Sequence, residues 1–297
     1  MSQETKQKTF QVTSPARLDL SNIRGSVEIH PGEADQVEVM AVKHTESGDA
    51  ENTEIELAQA LDGGVKVTTR FPEGWWRWLA GSKPCRVDYR VKVPQGSLLK
   101  LKGVENSVLV DGLEGQIDLT SVSGDLTLRN LTGPVHINTV SGNVSAKKLS
   151  GAIELVTVSG DLDATDAQQA SISAKTVGGD LAVQTTLSDG PYRFDSVSGD
   201  VRLQLPADAR FSASLSSISG EVSSTFPATN FSRSHGSQAV DIQGGGVTID
   251  AKSVSGNLQL HPFGDAPHAA SVDRREILER LERGEIRPEE ALAQMQG

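Results

Sequence analysis

A nine-residue period constrains this chain more than any other feature. Cut every nine residues, the stretch from Val104 to Asp166 reads VENSVLVDG, LEGQIDLTS, VSGDLTLRN, LTGPVHINT, VSGNVSAKK, LSGAIELVT and VSGDLDATD. Each unit opens on an aliphatic residue, most carry Gly third, and small or apolar residues fill the fifth and seventh places. Units then lengthen to ten residues. Every second unit repeats a Val-Ser-Gly phrase, so its glycines, Gly124, Gly142, Gly160, Gly179, Gly199 and Gly220, stand 18 to 21 residues apart. Gly256 extends the series two turns further, past an inserted loop, TFPATNFSRSHGSQ. Alternation puts positions one, five and seven on one side of a strand and six and eight on the other. A strand this short cannot bury an apolar face alone, but stacked turns bury it and pair every backbone group. The pattern predicts an all-β fold: a parallel β-solenoid over residues 103–261, with turns of 18–21 residues and two short strands per turn.

The phrase Ser-Val-Ser-Gly-Asp also lays out columns of polar side chains. Glycine permits a bend with positive φ or a close approach between turns. Asp125, Asn143, Asp161, Asp180, Asp200, Glu221 and Asn257 follow the glycines. Stacking at about 4.8 Å would align them as a ladder. Asp125, Asp161, Asp180 and Asp200 are the candidate calcium ligands, because stacked carboxylates repel unless bridged. Calcium-binding β-rolls, however, carry a second Gly and a second Asp per unit that are missing here, and Asn twice interrupts the acids. A turn-forming ladder is the preferred reading, with hydrogen bonds linking companion columns of Ser and Thr. No metal or other cofactor is expected.

Residues 1–102 carry strand patterns without the nine-residue phase and read as an N-terminal β-region that caps the solenoid. All three tryptophans, Trp75, Trp76 and Trp78, lie in GWWRWLAGSKP. They would plug the open core or form an aromatic patch for a protein partner, with a membrane surface the weakest option for so acidic a chain. In the inserted loop 226–237, Arg233 and His235 are the candidate ligand contacts. Residues 262–270 read as a linker, and 271–297 as a helical hairpin. There Ile277 and Leu281 share one helical face, Gly284 suits a helix end, Pro288 a helix start, and Leu292 a second apolar face. Such a hairpin is too small to stand alone, so it docks on its own chain or on a second copy.

A formal charge of −11 and a pI near 5.1 argue against nucleic acid, which needs a basic surface. The single cysteine, Cys85, excludes an intrachain disulfide. The polar start MSQETKQKTF lacks the apolar stretch of a secretory signal, and no run of 18 apolar residues occurs, so the expected location is the cytoplasm. The six histidines lack metal-ligand spacing, and no hydrolase or nucleotide-binding motif is present. Asp118, His136 and Glu154 would align on one outer face across three turns, which keeps a glycan-binding or glycan-cleaving β-helix open as the alternative. Charges on a solvated face are the ordinary case, and the chain reads as no enzyme.

The recurring TVSGDL turns, preceded by NIRGSVEIHPGEADQVEVMAVKH, resemble the bacterial putative-adhesin β-strand-repeat family of unknown function, over roughly residues 15 to 261. The tail ILERLERGEIRPEEALAQM resembles the short helical modules of SHOCT type. The resemblance implies a β-solenoid with no established activity, a link to cell-envelope stress in some relatives, and oligomerisation through the tail. Residues and resemblance together lead to a non-catalytic scaffold that interacts with a protein partner or with itself.

Overall fold

The computed structural model describes residues 2–72, 83–188, 190–234 and 236–263. Seven strands come first: β1 Gln3–Gln11, β2 Arg17–Pro31, β3 Gln36–His44, β4 Glu54–Gln59, β5 Val65–Arg70, β6 Arg86–Val93 and β7 Leu98–Asp111. The regular middle follows: β8 Ile117–Ser123, β9 Leu126–Thr132, β10 Val135–Thr139, β11 Val144–Thr157, β12 Leu162–Gly178, β13 Leu181–Leu187, β14 Tyr192–Ser198 and β15 Val201–Pro206. The chain continues through β16 Phe211–Ser217, β17 Val222–Ser224, β18 Ala228–Ser234, β19 Ser237–Ile242, β20 Val247–Ser253 and β21 Leu258–Phe263.

Turns in the middle stack in parallel, and each adds one strand to each of two facing layers. In one layer Val135 pairs with Ile117 before it and Ile153 after it. In the other, Val144 pairs with Leu126 and Leu162. The cross-section is therefore two-sided. The inward residues of both layers, such as Leu119, Leu128, Ile137 and Leu155, are buried in one continuous core.

Two columns of glycine let the turns stack this closely. Gly124, Gly142, Gly160, Gly179 and Gly199 have φ between +108° and +134°, a region other residues rarely adopt. A Cβ on Gly142 would also sit closer than 3.0 Å to the Gly124 carbonyl, and the same collision recurs at every step of the column. Gly115, Gly133 and Gly151 do the same at the opposite edge.

At both ends the stacking order departs from chain order. The first half of β2 lies between β5 and β7, with Leu18 opposite both Val65 and Leu99. Its second half lies between β6 and β7, with Val27 opposite Tyr89 and Val108. At the far end β20 is inserted between β14 and β16, and β21 between β15 and β17. Gly256 therefore stacks on Gly199, and Gly220 on Gly256, not in the order of the sequence. This threading pairs β2, β20 and β21 on both sides and keeps them from fraying. The stack is finished by antiparallel strands: β3 joins β6 to β1, β4 joins β5, and β16 continues into β19 and β18.

Two expectations about layout change. The boundary drawn at residues 102/103 falls inside β7, and β2 is itself a turn of the stack. The fold class with a C-terminal helical hairpin is corrected to all-β: among the described residues the only helical element is a 3-10 turn at Thr45–Ser47, and no hairpin is present. Ile277, Leu281 and Leu292 lie outside the described residues. The hairpin rested on local periodicity within 271–297, and the all-β class rests on the strands that fill the described residues.

A polar cluster ties the first turns together. Asp88 on β6 accepts hydrogen bonds from the Ser26 N–H and hydroxyl at 2.9 Å each, and from Arg86 Nε at 3.0 Å. His44 Nε2 lies 2.7 Å from its other oxygen. Burial pushes the Asp88 carboxyl up, but the bonds from Arg86, Ser26 and His44 outweigh it and hold the group below its ordinary value of 3.8.

Gly142→Ala should lower stability by about 2–4 kcal/mol, from left-handed strain plus the clash with the Gly124 carbonyl, measured by denaturant unfolding. Asp88→Asn should cost about 1–3 kcal/mol at neutral pH. Because the folded carboxyl titrates below the unfolded one, its stabilisation is full above the ordinary carboxylate range and disappears as pH falls through the folded value. The difference in melting temperature between wild type and Asp88→Asn should therefore shrink as pH falls below the ordinary carboxylate range.

Candidate interaction site

The two edges of the flattened stack differ in kind. At one edge Leu113, Leu131, Leu149 and Ala167 point into the core and are buried. At the other, the valine of each Val-Ser-Gly phrase points into solvent. Val104, Val122, Val140, Val158, Val177, Val197 and Val254 are 46–50% exposed, and Ile218 is 85% exposed. Main-chain bonds between turns give their order: Ser141 N–H donates to Val122 O, Ser159 to Val140 O, Gly178 to Val158 O, Ser255 to Val197 O and Ser219 to Val254 O. Eight branched aliphatic side chains thus form a stripe about 34 Å long at the spacing of adjacent strands. A contiguous apolar surface of this kind on a protein marks an interaction site more often than scattered exposed residues do.

Strand alternation explains why one edge faces out and the other in. In β8, Ile117, Leu119 and Ser121 point inward, so Val122 must point outward. At the opposite edge Asn130, Lys148 and Asp166 adopt φ of 50–54°, and each inserts one left-handed residue that breaks the alternation. The following Leu131, Leu149 and Ala167 swing inward. The expectation that position one of every unit is buried is corrected for alternate units. The signal was present: the preceding residue is a hydroxyl for every member of the exposed row except Val104, which follows Gly103, and it is Asn, Lys or Asp before Leu131, Leu149 and Ala167.

Beside the stripe runs the column that includes the candidate metal ligands Asp125, Asp161, Asp180 and Asp200. Each side chain accepts a hydrogen bond from the backbone N–H of the residue stacked on it. Asp125 Oδ1 receives Asn143 N at 3.1 Å, Asn143 Oδ1 receives Asp161 N at 3.1 Å, and Asp161 Oδ1 receives Asp180 N at 2.9 Å. Asp180 receives Asp200 N at 2.8 Å, Asp200 receives Asn257 N at 2.8 Å, and Asn257 receives Glu221 N at 3.1 Å. Amide and carboxylate serve this purpose alike, which accounts for the Asn interruptions. No cluster of three His, Cys, Asp or Glu suited to a metal ion occurs among the described residues.

The hydroxyls do not link column to column as expected. Buried Ser121, Thr139, Thr157 and Thr176 donate to the carbonyl two residues on, at 3.2–3.3 Å, within their own bend. Outer Ser123 and Ser141 donate to the Val104 and Val122 carbonyls of the adjacent turn. Asn22, Asn106, Thr69 and Tyr89 take over at the first turns with a buried network of 2.7–2.8 Å bonds.

Asp118, His136 and Glu154 do align on one face, in consecutive register, with His136 Nδ1 3.1 Å from Glu154 Oε2. Asp118 instead accepts from the Gln116 amide. The His136 and Glu154 side chains are 40% and 56% accessible, and Asp118 is half-buried at the side of a pocket lined also by Arg17, Asp62 and Lys100. Arg233 on β18 pairs with Glu221 at 3.1 Å and donates to Gln238. Trp75, Trp76, Trp78 and His235 lie outside the described residues.

The Toastrack DUF4097 family model matches residues 16–261, the span of the glycine and valine columns. The chain belongs to this family. Nothing among curated proteins matches it. Among solved structures, this Toastrack chain is similar to a putative adhesin from Bacteroides fragilis, at 10% identity and a TM-score of 0.46, over 86% of this chain and 97% of that one. It is also similar to a putative adhesin from Parabacteroides distasonis, at 12% identity and a TM-score of 0.42, over 88% and 97%. A putative cell adhesion protein from Clostridium sporogenes aligns at 11% identity and a TM-score of 0.26, over 88% and 100%.

If the acidic column serves the Toastrack backbone, Asp161→Asn should leave stability unchanged while Asp161→Ala costs about 0.5–1.5 kcal/mol, the worth of one hydrogen bond. Millimolar calcium should leave the melting temperature of the wild type in place; a rise would assign the column to metal.

Proposed function

We propose that the protein is a non-catalytic scaffold that presents its valine edge to a protein partner. The observation that carries this reading is the unbroken row from Val104 to Ile218, whose side chains are about half exposed or more although the fold has a ready inward position at its other edge. A protein with complementary apolar side chains would bury a strip several hundred Å² in area, the size typical of functional patches on monomers. The cytoplasmic location belongs to the same proposal, and cell fractionation tests it.

The glycan reading has one observation in its favour, the in-register Asp118, His136 and Glu154. His136 and Glu154 pair with each other on a solvated face, the ordinary case, and only Asp118 reaches a pocket, which it lines with Arg17, Asp62 and Lys100.

Val140→Ser, Val158→Ser and Val177→Ser combined should reduce cross-linked partner recovered with the tagged full-length chain at least fivefold, with the melting curve little changed. An unchanged spectrum of cross-linked proteins would overturn the valine edge as the docking site. Release of sugar from a polysaccharide panel, abolished by Glu154→Ala and not by the valine changes, would establish the glycan reading instead.

A further inference from the structure

The open sheet edges at the two ends of the stack are treated differently. At the first end β4 pairs only with β5, and its other side is covered. Lys6 and Lys8 of β1 donate from Nζ to the carbonyl oxygens of Ile55, at 2.7 Å, and Leu57, at 3.3 Å, and the Gln59 amide donates to Gln11 O at 2.7 Å. The outer edge of β1 carries Glu4, Lys6 and Lys8, charges that oppose pairing with another strand. At the far end β17 has three residues, and its Val222 N–H is taken by Gln238 Oε1 at 3.1 Å.

β18 carries one irregularity, a bulge at Thr229 near its start, and none of the lysine, acid or shortness that guards the other edges. Among the described residues it pairs with β19 alone, which leaves its other side open. All seven residues, ATNFSRS, are exposed, and none is Lys, Pro or acidic. Its one charge, Arg233, is engaged by Glu221. At its midpoint stands Phe231, 54% exposed.

We propose that β18 is the strand through which two copies of this chain join, antiparallel and edge to edge. The strand is self-complementary in that arrangement. A two-fold axis through its midpoint sets the two Phe231 rings side by side, a favourable cross-strand aromatic pair. Arg233 then falls beside the partner's Thr229, where the bulge ends the regular ladder, so no like charges meet. Both sheets keep their hydrogen-bond direction, and β16, β19 and β18 continue into the second copy. The contact is isologous and closes on itself, and the covered edges at the first end stop growth into a fibre. One strand pair buries less than the roughly 1,200 Å² of a standard interface, so the dimer dissociates on dilution. This surface is separate from the valine edge, and neither reading depends on the other.

The test uses the full-length chain. Sedimentation equilibrium over a concentration series should show a reversible dimer for the wild type. Phe231→Lys, which places two ammonium groups at the axis, should weaken it at least tenfold with an unchanged circular dichroism spectrum. Register is read separately from Phe231→Cys, since Cys85 is fully buried. With oxidised glutathione, Phe231→Cys should form a disulfide-linked dimer at least tenfold faster than Thr229→Cys, because position 229 faces 233 and not itself. A wild type that stays monomeric throughout the series overturns the proposal. So does a dimer that survives Phe231→Lys, or equal cross-linking at 229 and 231.

Discussion

The structure depends on one close contact, repeated. At each turn a glycine with positive φ lies against the carbonyl group of the turn beneath, where any Cβ would collide. This approach lets the chain reverse direction within a few residues and still keep the parallel hydrogen bonds of both layers in register. Because it recurs about every eighteen residues, every other position is carried into a column. Leucines stack on leucines, hydroxyls on hydroxyls, acids on acids. A side chain here has nearly the same environment as its equivalents one turn away, so small rules are applied many times.

The acidic column shows how one such rule can mislead. Seven aligned carboxylates and amides suggest a cation site by charge alone. Their Oδ1 atoms instead take the backbone N–H groups of the bend, where the strand ladder is interrupted. An N–H left without a partner there would be costly, and a short acceptor side chain is the cheapest remedy. The valine column is the opposite case. Its residues have no bonding duty and less burial than their type favours, so their repetition is harder to explain by stability alone.

The ends show where regularity stops and topology begins. A stack of two layers cut off without rearrangement would expose two unpaired strand edges at each end and invite aggregation. Here the second strand of the chain and the last two described strands are inserted between neighbours already in place, and antiparallel strands cover what remains. Three of the edges are blocked by lysine, charge or shortness. Among the described residues the outer side of β18 is left open, with a phenylalanine at its centre.

The sequence by itself determined the period, the position of the glycine bends, the all-β character and the alignment of Asp118, His136 and Glu154, because each follows from local alternation and constant spacing. It did not reveal that Val122 and its equivalents face solvent. That depends on whether the preceding residue is extended, like Ser121, or left-handed, like Asn130, and the difference is one dihedral angle. Nor did spacing reveal that Gly256 stacks on Gly199, since a parallel strand can add to either side of a free edge with the same local pattern. Helical periodicity in the tail predicted a hairpin over 271–297, which lies outside the described residues. What only the tertiary structure decided is therefore the order of the turns, which edge of the stack is apolar, and which strand keeps one side unpaired among the described residues. Each is a question of what lies beside a residue in space, and contact between distant segments, not local propensity, sets the answer.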